Sequence, residues 1–153
     1  MRKIYMVMIV LVASATLFLL ACGKNYNTSK HGGNKSHLSG ALCITCHAPG
    51  GKAKETFTVS GTVYDESRLK VQQRSVVKLY TRAKARGKLI ATLYTDDLGN
   101  FYTTQKIDFT QGLYPTLSGT PGARKSTRHM SKGITSGDCN SCHGMFTGNL
   151  GID

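Results

Sequence analysis

Two five-residue stretches carry side chains that could do chemistry together: Cys43-Ile44-Thr45-Cys46-His47 and Cys139-Asn140-Ser141-Cys142-His143. In each, two thiols stand three positions apart and an imidazole follows directly, which is the spacing of a c-type haem attachment motif. The spacing has a physical reason. Thiols three residues apart both reach the vinyl groups along one porphyrin edge, and the adjacent His swings under the ring to bind iron from the proximal side. The expected cofactors are two covalently bound haems c, attached through Cys43, Cys46, Cys139 and Cys142, with His47 and His143 as proximal ligands.

Three other uses of these thiols compete. A single zinc site with four cysteine ligands would have to join two pairs across the 92 residues between Cys46 and Cys139. Disulfides within each pair would close tiny loops and stabilise little. A thioredoxin-like redox site needs a βαβ setting, and the intervening sequence does not have that texture. No paired carboxylates, Ser-His-Asp set or phosphate loop stands out, and eight scattered acidic residues give a hydrolase nothing to rest on. The chain reads as an electron carrier rather than an enzyme, with the cofactor supplying the chemistry.

The fifth cysteine has a different setting. Arg2 and Lys3 precede an apolar run from Ile4 to Leu20, which ends in Leu19-Leu20-Ala21-Cys22. A basic start, an apolar stretch and a small residue before the cut describe a secretory signal over residues 1–21. The Leu-Leu-Ala-Cys ending resembles a bacterial lipobox, which implies acylation of Cys22 and a lipid anchor in the membrane. The competing reading is an uncleaved membrane helix, because 17 apolar-rich residues lie at the lower edge of spanning length. Gly23 after the cysteine, in place of the Asp that retains such lipoproteins in the inner membrane, implies the outer membrane of a diderm cell, on its periplasmic or its extracellular side.

Holding the two motifs falls to the elements around them. Residues 22–36 are rich in Gly, Asn and Ser, without apolar periodicity, and read as a flexible tether reaching on the order of 20 Å. Residues 37–55 hold the first motif, closed by Ala48-Pro49-Gly50-Gly51. From residue 56 the texture becomes that of strands. Phe57, Val59, Gly61 and Val63 alternate with Thr58, Ser60, Thr62 and Tyr64, and Ser75–Thr81 and Leu89–Thr95 are rich in branched and aromatic residues. Asp96–Asn100 is a turn before a strand at Phe101–Thr104, and Lys106–Phe109 is a candidate further strand. The expected fold is mainly β: a small antiparallel sandwich over residues 56–115, flanked by loop and short-helix haem-binding segments at 37–55 and 116–153.

The words Ser60-Gly-Thr-Val-Tyr-Asp65 and Thr95-Asp-Asp-Leu-Gly-Asn-Phe-Tyr102 resemble the carboxypeptidase regulatory-like, transthyretin-like β-sandwich family. That resemblance covers about residues 56–115 and implies a small seven-stranded sandwich without catalytic residues. His37 stands six residues before Cys43, and His129 ten before Cys139. Both placements resemble multihaem cytochromes c, in which a distal His precedes the attachment motif, and the resemblance implies His37 and His129 as the second iron ligands. His31 is the weaker candidate, and Met130 and Met145 are the alternatives at the second haem. Two strong ligands favour electron transfer, whereas an open iron would favour redox or gas sensing by a ligand-binding lipoprotein.

Twenty basic side chains against eight acidic ones give a formal charge of +12, which falls to +10 when Arg2 and Lys3 leave with residues 1–21. Such charge suits acidic redox partners or an anionic surface. A nucleic-acid partner is not expected, since no interleaved aromatic and basic stacking motif is present. Self-association in a haem-to-haem chain is the remaining partner class. It depends on whether the two motifs end up at opposite ends of the sandwich or together.

Overall fold

The computed structural model describes residues 26–120, 127–144 and 147–152. Among the described residues, seven strands form two sheets, with β1 at Val59–Thr62, β2 at Val76–Arg82, β3 at Arg86–Tyr94, β4 at Asn100–Thr103, β5 at Tyr114–Ser118, β6 at Thr127–His129 and β7 at Gly137–Asp138. One sheet has the order β4-β1-β7, the other β3-β2-β5-β6. All pairings are antiparallel except β1 with β7. The protein is thus mainly β, a small two-sheet sandwich with two single-turn helices, α1 at Ile44–His47 and α2 at Cys139–Cys142.

Alternation builds the core. Val77 and Leu79 of β2 and Ala91 and Leu93 of β3 point inward, where they meet Val59, Phe101, Leu113 and Leu117. At about 1.5–3 kcal/mol for each fully buried large apolar side chain, this cluster is the main stabilising element of the sandwich. Ile152 is fully buried too, because Tyr64 N–H donates to the Leu150 carbonyl (2.7 Å) and Ile152 N–H to the Tyr64 carbonyl (2.9 Å). The expected turn at Asp96–Asn100 is present. The Asp96 carboxylate accepts from Leu98 N–H and Asn100 N–H, both at 3.0 Å, and Gly99 takes φ 70° where a Cβ would lie 2.8 Å from the Val63 carbonyl oxygen.

Three expectations are corrected. Lys106–Phe109 is not a strand; Ile107 and Phe109 instead lie against the core cluster as a loop, which Asp108 turns by accepting from Thr110 N–H at 2.9 Å. The sandwich does not end at 115, because β5 crosses that boundary and β6 and β7, from within 116–153, complete the two sheets. Finally, residues 27–36 are not a free tether. Ser29 is buried, its N–H donates to the Tyr102 carbonyl (3.0 Å) and its hydroxyl accepts from Tyr102 N–H (2.9 Å). Thr28 forms a bridge with Thr103, so this segment extends the first sheet beyond β4. Its Gly, Asn and Ser content leaves no apolar pattern to read, yet backbone pairing needs none.

Candidate cofactor sites

Each Cys-x-x-Cys stretch folds as one helical turn. In α1, His47 N–H donates to the Cys43 carbonyl at 2.9 Å; in α2, His143 N–H donates to the Cys139 carbonyl, also at 2.9 Å. Residues three apart on such a turn share a face, which sets both thiols side by side. In both turns the first thiol leans back on the carbonyl two residues earlier, Cys43 on Ala41 and Cys139 on Gly137, each at 3.6 Å. The four thiols are free; Cys46 and Cys142 are exposed, Cys43 and Cys139 partly buried.

The two turns line separate cavities. One, of about 710 Å3, is bounded by Cys43, Cys46, His47, His37, Leu38 and Phe57. The other, of about 540 Å3, is bounded by Cys139, Cys142, His143, His129, Met130 and Arg128. Both volumes fall in the range of roughly 300–1,000 Å3 usual for small-molecule and cofactor sites. His37 therefore belongs with the first motif and His129 with the second. Met130 shares the second cavity, while Cys22 and Met145 lie outside the described residues. His31 borders neither cavity: its Nδ1 meets the Thr95 carbonyl at 3.0 Å and its ring stands edge-on to Tyr94.

Hydrogen bonds at Nδ1 orient three of the imidazoles. His47 Nδ1 lies 2.8 Å from the Glu55 carbonyl, which can only accept, so Nδ1 carries the proton and Nε2 keeps its lone pair. Phe57 stacks on the His47 ring at 3.9 Å and fixes its plane, and Tyr102 stacks behind Phe57 at 4.7 Å. His129 Nδ1 pairs with the Thr116 hydroxyl (3.1 Å) and His143 Nδ1 with the Thr147 hydroxyl (3.2 Å), so in both rings the hydrogen bond is made on the Nδ1 side. The rings of His37 and His47 have centroids 6.0 Å apart. Leu38, 73% exposed and at φ 50°, borders the same cavity, an apolar side chain that a porphyrin face would cover. The residues fit two haems. Among the described residues, no three His, Cys, Asp or Glu side chains gather as ligands of a lone ion, so the four-cysteine zinc arrangement is not formed.

Burial raises both leading thiols. Cys139 is pushed up to about 12, first by desolvation and then by the Asp138 carboxylate, since its sulfur lies inside although the residue keeps some exposed surface. Cys43 is raised by desolvation too, against a hydrogen bond from Ser60 that pulls it down. Asp138 itself is raised by desolvation, and one of its carboxylate oxygens is buried without a hydrogen-bond partner.

What the sequence does not announce is that the two motifs meet. Asn140, a variable position inside the second motif, is buried; its Oδ1 accepts from Thr62 N–H (2.9 Å) and its Nδ2 donates to the Ala41 carbonyl (2.8 Å), two residues before Cys43. The polar positions of the β1 alternation, Ser60 and Thr62, are only 2% and 1% exposed, because the motif residues cover them. Compared with protein-family models, with curated proteins and with solved structures, the chain matches none.

Proposed function

We propose that this protein is an electron carrier with two covalently attached c-type haems, anchored at the cell envelope through an acylated Cys22. The observation that carries the reading is the grouping of each Cys-x-x-Cys-His turn with one further His in its own cavity. Haem iron, when bound, supplies a one-electron couple. The chain's own residues do the rest. Cys43 with Cys46 and Cys139 with Cys142 would hold the cofactors covalently, and His47 and His143 would ligate iron. His37 and His129 would supply the second imidazole at each site. Glu55, Thr116 and Thr147 bond the Nδ1 side of His47, His129 and His143, which leaves the Nε2 side as the one that would meet iron. Two nitrogen ligands per iron leave no open position, which favours electron transfer over ligand binding. The basic surface suits an acidic redox partner.

The test is chemical and optical. Denatured protein from a host competent in haem attachment should keep its colour and weigh two haems more than the bare chain. The reduced protein should not bind carbon monoxide, whereas His37→Ala and His129→Ala should each open one site to it. A colourless protein would overturn the proposal, and carbon monoxide binding by the wild type would replace electron transfer with gas sensing. A sulfur-to-iron charge-transfer band would move the second ligand from His129 to Met130. For the anchor, Cys22→Ala should release the protein from membranes or stall the precursor; a mature protein retaining residues 1–21 would replace the lipid with a helix.

A further inference from the structure

The geometry points to Asn140 as the positioning residue that fixes the spacing of the two cofactors, so that they form one electron-exchanging pair within a single chain; this rests on the haem reading above.

The two motifs are far apart in sequence but dock on the same short strand. Cys43 meets the Ser60 hydroxyl, and the Cys139 Cβ lies 2.9 Å from where a side chain on Gly61 would begin. Phe101, opposite Gly61 in the β1–β4 register and 1% exposed, borders both cavities. One aromatic side chain thus stands in the wall between the two cofactor sites.

A buried polar knot clamps this arrangement. Asn140 Nδ2 donates to the Ala41 carbonyl and to Thr62 Oγ1 (3.2 Å), while Asn140 Oδ1 accepts from Thr62 N–H. Thr62 Oγ1 donates to Asn100 Oδ1 (2.6 Å) and accepts from Gly40 N–H (2.8 Å). Asn100 Nδ2 in turn donates to Ser36 Oγ (2.9 Å) and to the carbonyl of His37 (3.3 Å). The chain of bonds runs from inside the second motif, through β1 and β4, to the backbone of a ligand of the first. Asn140, Thr62 and Asn100 are each at most 4% exposed. Burying three polar side chains in a small sandwich is costly unless every bond is made. Holding two segments at a fixed separation is what such a network does that an apolar contact of the same size does less well, because its bonds are directional.

The experiment is pulsed dipolar EPR on the oxidised protein, which reads the separation of two ferric centres. Wild type should give one narrow distance, unchanged on dilution. Asn140→Ala should broaden or shift it, with two haems still attached and the low-spin optical spectrum unchanged. Thr62→Val, which keeps the backbone bond to Asn140 Oδ1 while losing the Oγ1 links to Gly40, Asn100 and Asn140 Nδ2, should do the same to a smaller degree, and it reads the point if Asn140→Ala does not fold. A broad wild-type distribution, or a narrow one that the folded variants leave in place, would overturn the inference and leave the haem reading intact. Absence of covalent haem would instead sink the haem reading itself.

Discussion

The chemistry-bearing residues are legible because their chemistry fixes their spacing: two thioether bonds to one porphyrin edge demand Cys-x-x-Cys, and nothing about the surrounding fold alters that demand. That His37 shares a cavity with the first motif and His129 with the second is not legible, since such a grouping is set by tertiary contact rather than by distance along the chain. Asn140 gives no signal either, as a position that varies freely with respect to haem attachment. Its role comes from Thr62 and Ala41, which lie 78 and 99 residues away. At this scale one prediction concerns pH. In the haem-free chain, the Cys139 thiol is raised from its ordinary 9.0 to about 12 by burial, so the folded state keeps a proton that the unfolded chain gives up. Its stabilising contribution is therefore full below about pH 9 and is lost as pH rises toward 12, with Cys43 adding in the same direction. Urea midpoints should fall between pH 8 and pH 11 in the haem-free chain and stay flatter in the loaded one, whose thioethers do not titrate (roughly the window between the ordinary and the raised value). Equal slopes would show that the sulfur is not buried as described.

Among the elements, the strands rich in Val, Leu and Tyr are readable because period-two burial needs apolar residues at alternate positions, as in Val77 and Leu79 of β2. β7 and the segment at Thr28–Ser29 are not, because two or three residues paired mainly through their backbone carry no pattern. β1 shows the opposite failure. Its alternation is plain in the sequence, but the polar face of Ser60 and Thr62 is covered by the motif segments, whose placement no local pattern specifies. Two mutations test these elements. Gly61→Ala would set a methyl 2.6 Å from the Phe101 ring and 2.9 Å from Cys139, a clash expected to cost about 1–3 kcal/mol in thermal unfolding. Ser29→Ala would leave Tyr102 N–H without its acceptor at a buried site, with an expected loss of about 1–3 kcal/mol. An unchanged melting temperature for Ser29→Ala would return residues 27–36 to the status of a tether.

For the molecule as a whole, the choice between a relay within one chain and a haem-to-haem filament turns on whether the flanks of the sandwich diverge or converge, and strand counting alone does not decide it. The parallel pairing of β7 with β1, at Val59 with Gly137 and Ser60 with Asp138, brings the second motif back to the first. Under the haem proposal, exchange between the two sites should accordingly be first order, with a rate that is constant on serial dilution, while reaction with an acidic partner should slow as salt screens the basic surface. Loss of intramolecular exchange on dilution would restore the filament. The same closure bears on how the protein is made. The bond between Asn140 and Ala41 spans 99 residues, and contacts of such separation form late because the intervening chain must first be ordered. Once α2 docks, the Cys139 sulfur is inside and holds its proton, while the second thiol of each motif, Cys46 and Cys142, remains at the surface. Under the haem proposal, attachment at Cys139 would have to precede the docking of α2. A chain allowed to fold empty and then offered haem should form its bond at Cys139 only after denaturation.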